Sequence, residues 1–437
     1  MRRQTGTALA LSGAIVLRAS LGAAAPGVDE RVPHVEASFA NVGLRPEGTF
    51  SRVCAAEADV CVHFAAPTNR DAASEVLAAG ARALQGLAAL RLPGPLPDTP
   101  RGGDGGLDIY LVGDAPAVAH GDAGATGTGF DRASAFVVAP AHGIVSCVEA
   151  QQLASAIGAA ALLGRDAALD PSSLAMLADH TGTLLEPCTL REMEEIDLAQ
   201  RAPNRTFVGP LGSGAPGSFL FPRLLEEKYG TGEPGKLTFA LASIAAQKSP
   251  TLVDEPDPFD SLRITQKANR SSLADNVLEL MVARAFLGDR SDETQLADVA
   301  KYGSFGRVRF EWAVPHASLP RRLAQTRPVE PLGAAYIWLD LAGASPDAEL
   351  TFLAEWEEPV AFRWALVKVD DKGSPLATLE VVPVLGQTKI EKTVRDLSGA
   401  RGVVIVGVNE GESRRDDPFD PGQPREPGHG WVVSLYR

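Results

Sequence analysis

His142 to Pro187, HGIVSCVEAQQLASAIGAAALLGRDAALDPSSLAMLADHTGTLLEP, reads as two helices with a tight break between them. Small side chains crowd the first helix (Ala154, Ser155, Ala156, Gly158, Ala159, Ala160, Ala161), so a neighbour can approach it closely. Asp170-Pro171 marks the start of the second: a side chain that caps, then a proline whose missing N–H is not needed in the first turn. Pro187 ends that helix, because proline cannot extend the hydrogen-bond ladder. The first helix opens on Val148-Glu149-Ala150-Gln151-Gln152. The second carries Asp179, His180 and, at its end, Glu186.

Upstream, residues 26–50 lack periodicity and read as an extended lead-in. Val60 to Phe64 has the look of a short strand, and Thr68 or Asn69 can cap a helix that runs to about Leu92. Its apolar side carries Val76, Leu77, Ala81, Leu84, Leu87 and Leu90. After a Pro/Gly/Asp loop, Leu107 to Val112 reads as a strand. A glycine-rich connector, Gly121 to Gly129, leads to another at Ala135 to Val138. Short apolar runs of this kind suit sheet strands covered by helices. Asp98, Asp104 and Asp108 surround the glycine-rich loop; they lack EF-hand spacing and read as a solvated turn rather than a calcium site.

Downstream, Leu190 to Leu198 reads as a helix whose Glu192, Glu194, Glu195 and Asp197 form a solvated face. Further helices are expected at Phe219–Tyr229, Leu237–Ala246 and Ser272–Leu287, the last with an apolar stripe of Leu273, Val277, Leu280 and Met281 that reads as core. From about Arg307 the period shortens to two. Six strands are expected near 336–341, 349–352, 361–369, 378–384, 402–408 and 430–436, at β-sandwich intervals. The segment from Arg321 to Pro331 reads as the linker between the two halves.

Composition sets the class. The chain has 437 residues, 45% hydrophobic and 22% charged, ordinary for globular protein, with room for two or three domains. A net charge of −14 with no dense Lys/Arg cluster argues against nucleic acid or an anionic membrane as partner. Arg2-Arg3, an apolar Ala8–Leu17 and Ala23-Ala24-Ala25 have the form of a signal peptide over residues 1–25; the alternative is an uncleaved, disordered N-terminus. No later run reaches the roughly 18 apolar residues a membrane span needs, so no transmembrane segment is expected and the mature chain should be secreted or periplasmic. Four cysteines fit an oxidising compartment and allow three pairings. Locality favours Cys54–Cys61 with Cys147–Cys188, against the alternative of four buried thiols. The second bridge would stabilise by about 3–4 kcal/mol in the chain-entropy description.

Val148-Glu149-Ala150-Gln151-Gln152 aligns with the H-E-x-x-H string of zincin metallopeptidases. Met176 to Glu186, MLADHTGTLLE, looks like the W-L-x-E-G-x-A-T-W-x-E string of the second helix in gluzincins. Strand, glycine-rich connector, edge strand and helix also come in zincin order, and Phe219–Gly230 with the β-rich C-terminus resembles secreted bacterial gluzincin-like proteins. The resemblance runs over roughly residues 54–437. It implies an α+β fold: a zincin-like domain of a small sheet plus helices at 26–320, then a C-terminal β-sandwich domain at 330–437.

In a zincin, two histidines at i and i+4 hold Zn²⁺ from one helix face, a glutamate beside the first is general base for the zinc-bound water, and in gluzincins a second-helix carboxylate completes the ligands. Carried over by position, Glu149 holds the general-base place, Val148 and Gln152 the two histidine places, and Asp179 the third-ligand place. Valine has no lone pair and an amide is a poor zinc ligand. Without metal, water keeps its pKa of about 15.7 and Glu149 has no activated nucleophile to serve. The resemblance therefore implies an exported, catalytically degenerate metallopeptidase that holds no cofactor and acts by binding a peptide or protein. Two alternatives stay open. One is an active zinc metallopeptidase with an atypical ligand set of Glu149, Asp179 and a histidine such as His142 or His180; the other is a structural or adhesive surface protein. Nothing in the sequence fixes the oligomeric state.

Overall fold

The computed structural model describes residues 41–437 except 66–68, 99–100, 104, 123–131, 209–213, 247–256, 270, 292–295, 346, 359, 385 and 413–426. The expected signal peptide, Asp104 and most of the glycine-rich connector lie outside the described residues. The fold is mixed α+β with several sheets.

The first sheet collects β1 (Val42–Gly43), β2 (Ser51–Cys54), β3 (Val60–Phe64), β4 (Leu107–Leu111), β5 (Val118–Asp122) and β6 (Ala135–Ala139), in the order β1-β5-β6-β4-β3-β2. Strands β3, β4 and β6 are mutually parallel. Strand β5 runs antiparallel to β6, and β2 antiparallel to β3. Between β3 and β4 the chain crosses over through α1 (Arg70–Ala89), as parallel neighbours require. Val76, Ala79, Ala83 and Leu87 recur at helical spacing and are buried against the sheet. The lead-in expected at 26–50 carries one strand pairing among its described residues, Val42 with Gly121, and just beyond it Arg52 pairs with His63. These pieces were illegible because they are two and four residues long and half-exposed, leaving no apolar alternation.

After β6 come α2 (Cys147–Leu163), α3 (Pro171–Leu185) and α4 (Thr189–Arg201), then α5 (Leu220–Tyr229), α6 (Lys236–Ala245), α7 (Pro258–Asn269) and α8 (Leu273–Ala285). As expected, Asp170 caps α3, accepting from Ser172 N at 3.2 Å and Ser173 N at 2.8 Å. Ser272 and Asp275 form a reciprocal capping box on α8. The glycines work where the helices touch: a Cβ on Gly158 would meet Thr181 at 2.8 Å, and one on Gly182 would meet Ser155 at 2.1 Å. Larger residues there would push α2 and α3 apart.

Two sheets build the C-terminal half. One has the order β13-β10-β15-β8, from β8 (Arg321–Ala324), β10 (Leu350–Trp356), β13 (Lys389–Val394) and β15 (Trp431–Tyr436). The other has the order β12-β11-β14-β9-β7, from β7 (Trp312–Pro315), β9 (Ala334–Asp340), β11 (Val360–Val369), β12 (Pro375–Val381) and β14 (Gly402–Glu412). They enclose Phe352, Phe362, Trp364 and Trp431, the two tryptophans edge to face at 5.8 Å. Arg321–Pro331 is therefore not a linker, and the sandwich does not begin at 330. Strand β7 pairs with β9, and β8 pairs with β15. Each shows one buried residue in four, so period two was invisible there.

The five-stranded sheet buries both of its faces. In β9, Ala335, Ile337 and Leu339 join the sandwich interior, while Ala334 and Tyr336 join the core of the helical half. In β14, Val403 and Ile405 face one way and Val404, Val406 and Val408 the other. Such double burial explains why GVVIVGV is apolar without alternation. Helix α8 covers the second face, and Tyr336 Oη donates to Met281 O at 2.7 Å.

Candidate functional site

Both expected disulfides are present, Cys54–Cys61 across β2 and β3 and Cys147–Cys188 across the helices. Cys147 is the first residue of α2, and Cys188 immediately precedes α4, so the second bridge ties the start of α2 to the start of α4.

Glu149 sits in the first turn of α2, where Ser146 is the N-cap. Its carboxylate accepts from Val145 N at 2.7 Å, from Ser146 Oγ at 3.1 Å and from His142 Nε2 at 2.9 Å. The hydrogen bond from His142, with those from Val145 and Ser146, holds the carboxyl below the usual range despite some burial. The arrangement is a capping box reaching one residue further back than usual. Asp179 on α3 takes Arg191 of α4 at 2.7 Å, and the same guanidinium donates to Ser155 of α2 at 3.1 Å. Burial, with Asp179 adding, pushes the nearby Glu195 carboxyl up, and it accepts from Gly217 N at 3.2 Å.

The structure thus joins Asp179 to α2 at Ser155, six residues and about 9 Å of helical rise beyond Glu149. Glu149 and Asp179 do not converge. Val148 brings no donor atom, and Gln152 only an amide. Both carboxylates are taken up by local partners; His142 lies on Glu149, and His180 lies beside Glu226. Among the described residues no group of three or more His, Cys, Asp or Glu side chains is placed to hold a metal ion. The four positions do not fit a zinc ion.

Sequence reading missed two constellations. On the face of the first sheet that carries His63, Asp108, Tyr110 and Phe136, Arg45 reaches Asp122 at 2.6 Å (Nε–Oδ1) and also pairs with Asp98 and Asp108. His63 lies 2.6 Å from Asp108 Oδ1 and stacks on Tyr110 at 4.6 Å. All three aspartates are buried, which overturns the solvated turn expected at Asp98 and Asp108. Burial outweighs Arg45 at Asp98 and pushes its carboxyl up to about 6; at Asp108, burial is outweighed by His63 and Arg45, and the carboxyl stays low. The residues come from five separated segments, so no local spacing announces them. The one available signal was a charged residue inside an apolar strand, as in LDIYL and VCVHF.

The second constellation lines a pocket of about 440 Å³ beside α3, with His180, Glu192, Arg223 and Glu226 in its wall. His180, 2% exposed, lies 3.4 Å from Glu226 Oε2. Burial opposes ionisation of Glu226, but His180 and the donors Gly235 N and Thr238 Oγ1 keep its carboxyl below the usual range. Glu192 is buried and accepts from Tyr302 Oη, so the expected solvated face of α4 is partly core.

No family model matches the chain, and no curated protein matches it either. Among solved structures, the pre-peptidase C-terminal domain of a Bacillus anthracis collagenase aligns with TM-score 0.19 and 9% identity, over 29% of this chain and 96% of that one. A surface-associated copper-binding protein of Methylomicrobium album BG8 gives 0.18 and 8%, over 28% and 96%. A chitosan-binding module from a Paenibacillus sp. IK-5 chitosanase/glucanase gives 0.16 and 18%, over 28% and 80%. Likenesses this shallow fix neither the architecture of the whole chain nor its activity.

Proposed function

We propose that this chain is an exported, non-hydrolytic protein on a zincin-like scaffold, acting by binding a peptide or protein. One observation carries the reading: the carboxylates at the general-base and third-ligand positions are both committed to structure, Glu149 to the N-cap of α2 and Asp179 to Arg191. The strand order supports it, with parallel β3, β4 and β6, antiparallel β5 beyond them, and α2 following β6. Where a zincin uses a metal ion to join its two helices, this chain joins α2 to α3 through the Ser155–Arg191–Asp179 link, and the Cys147–Cys188 bridge ties α2 to the start of α4. Two disulfides fit an oxidising compartment. Among the described residues no helix is long and apolar enough to cross a membrane.

Elemental analysis and a broad peptide-hydrolysis assay test the proposal together. Substoichiometric zinc and no chelator-sensitive cleavage are expected. One tightly bound zinc per chain, or cleavage abolished by both chelator and Glu149→Ala, would overturn it in favour of the active-peptidase alternative.

A further inference from the structure

A cavity of about 410 Å³ lies where the end of α8 and the segment after it meet the five-stranded sheet. Its volume is within the ~300–1,000 Å³ typical of small-ligand pockets. Part of its lining is aromatic. Phe310 and Trp338 are half-buried, with ring centres 6.0 Å apart and planes inclined by 44°. The indole lies across Gly402 on the neighbouring strand, where a Cβ would come within 2.3 Å of it.

Four basic side chains share the wall: Arg290, Arg307, Lys372 and Arg401. Three carboxylates are also present, but two are already engaged. Asp289 accepts both arms of Arg307, at 3.0 Å for Nε. Asp370 turns onto its own loop, accepting from Lys372 N at 2.9 Å and Ser374 N at 2.8 Å. Asp371 is exposed. Arg401 lies 3.6 Å from Asp340. Arg290 differs from these: its guanidinium sits 5.3 Å over the Phe310 ring, and among the described residues no carboxylate is within ion-pair distance of it, although the neighbouring Asp289, held by Arg307, attracts it. Burial, and then the like charge of Arg307, hold Arg290 below its ordinary value. A half-buried guanidinium beside a second cation gains most from a planar oxyanion that accepts its fork. The chain's net charge of −14 opposes long polyanions at a distance, but that field is screened beyond about 8 Å, so the local cluster decides.

We propose that this cavity binds a sugar ring bearing a carboxylate, a uronate unit of an acidic glycan, with the carboxylate on Arg290 and the ring against Trp338 and Phe310. Guanidinium and carboxylate match in plane and charge, while an aromatic wall accepts the apolar face of a sugar ring. The site is separate from α2 and α3 and does not depend on the reading given to them.

The test is calorimetry and tryptophan fluorescence on the full chain with trigalacturonate, neutral galactotriose and inorganic phosphate. Trigalacturonate should bind saturably and weaken on raising salt, with the other two at least about tenfold weaker. Arg290→Ala should weaken it by about tenfold, and the exposed Lys372→Ala by about threefold with folding intact. Trp338→Phe should abolish the fluorescence change. No saturable binding by about 10 mM would overturn the proposal. So would equal binding of galactotriose or phosphate, or an affinity unmoved in both Arg290→Ala and Lys372→Ala.

Discussion

Replacing Cys147 and Cys188 by alanine tests how much the covalent tie holds the helical layer. The bridge closes a separation of 41 residues. In the chain-entropy description a loop of that length restricts the unfolded chain by about 4 kcal/mol at 25 °C. Unfolding entropy is about 2.1 cal/mol/K per residue, so over 437 residues that loss should lower Tm by about 4 °C. The change should also be local. Cys188 immediately precedes α4 and Cys147 begins α2, while α1 and the first sheet keep their own contacts. Calorimetry gives the Tm, and hydrogen exchange by mass spectrometry gives the location. Faster exchange over Cys147–Arg201, with β3, β4 and the sandwich unchanged, is the expected pattern. An unaltered Tm, or a loosening spread evenly over the chain, would refute the claim that this bridge fixes the two helix starts.

Three further outcomes are expected. Glu149→Ala should cost about 1 kcal/mol as a lost cap and Glu149→Gln less, because an amide oxygen still accepts from Val145 N; equal losses in urea melts would speak against the capping role. Asp98, with its carboxyl raised from 3.8 to about 6, binds more protons folded than unfolded, so its contribution to stability falls as pH rises from about 4 to about 6. Asp98→Asn cannot ionise and should gain on the native chain over that window by up to about 3 kcal/mol; parallel stability–pH curves for the two proteins would reject this. Tyr336→Phe removes the hydrogen bond to Met281 O and should destabilise by about 1 kcal/mol, with exchange rising at the end of α8; no change at Met281–Ala285 would count against that anchor.

How much the sequence disclosed depended on burial. The helices at 70–89, 171–185, 220–229 and 273–285 carry apolar residues at helical spacing and all were legible; Asp170 and Ser272 cap two of them as their sequences announce, whereas Asn69 makes no capping bond to the first. The six longer sandwich strands were legible too: β9, β10, β11, β14 and β15 because each holds at least one buried face, and the mostly exposed edge strand β12 through its β-branched residues and flanking turns. Strands β7, β8 and β13 are largely exposed edges, and helix α7 has few apolar positions, so pattern reading passed over them. At the candidate site, the sequence located Glu149 and Asp179 but not their partners. The Glu149 contacts lie within seven residues and could have been read from Ser146-x-x-Glu149 as a capping box. Arg191, by contrast, reaches Asp179 across a helix boundary. The Arg45 network and the Arg290 cavity assemble residues tens of positions apart, and tertiary pairing of that kind leaves no local period.

The five-stranded sheet has a consequence for how this chain can be taken apart or inherited. A sheet with one wet face can travel between proteins as a detachable module, strung on a linker. Here Tyr336, Val367, Val404, Val406 and Val408 form a second dry face that belongs to the helical half. Severed from α8, the C-terminal half would present that face to water as an adhesive patch. The two halves are thus obliged to fold and diverge together, as a single inheritable unit rather than as cargo and carrier.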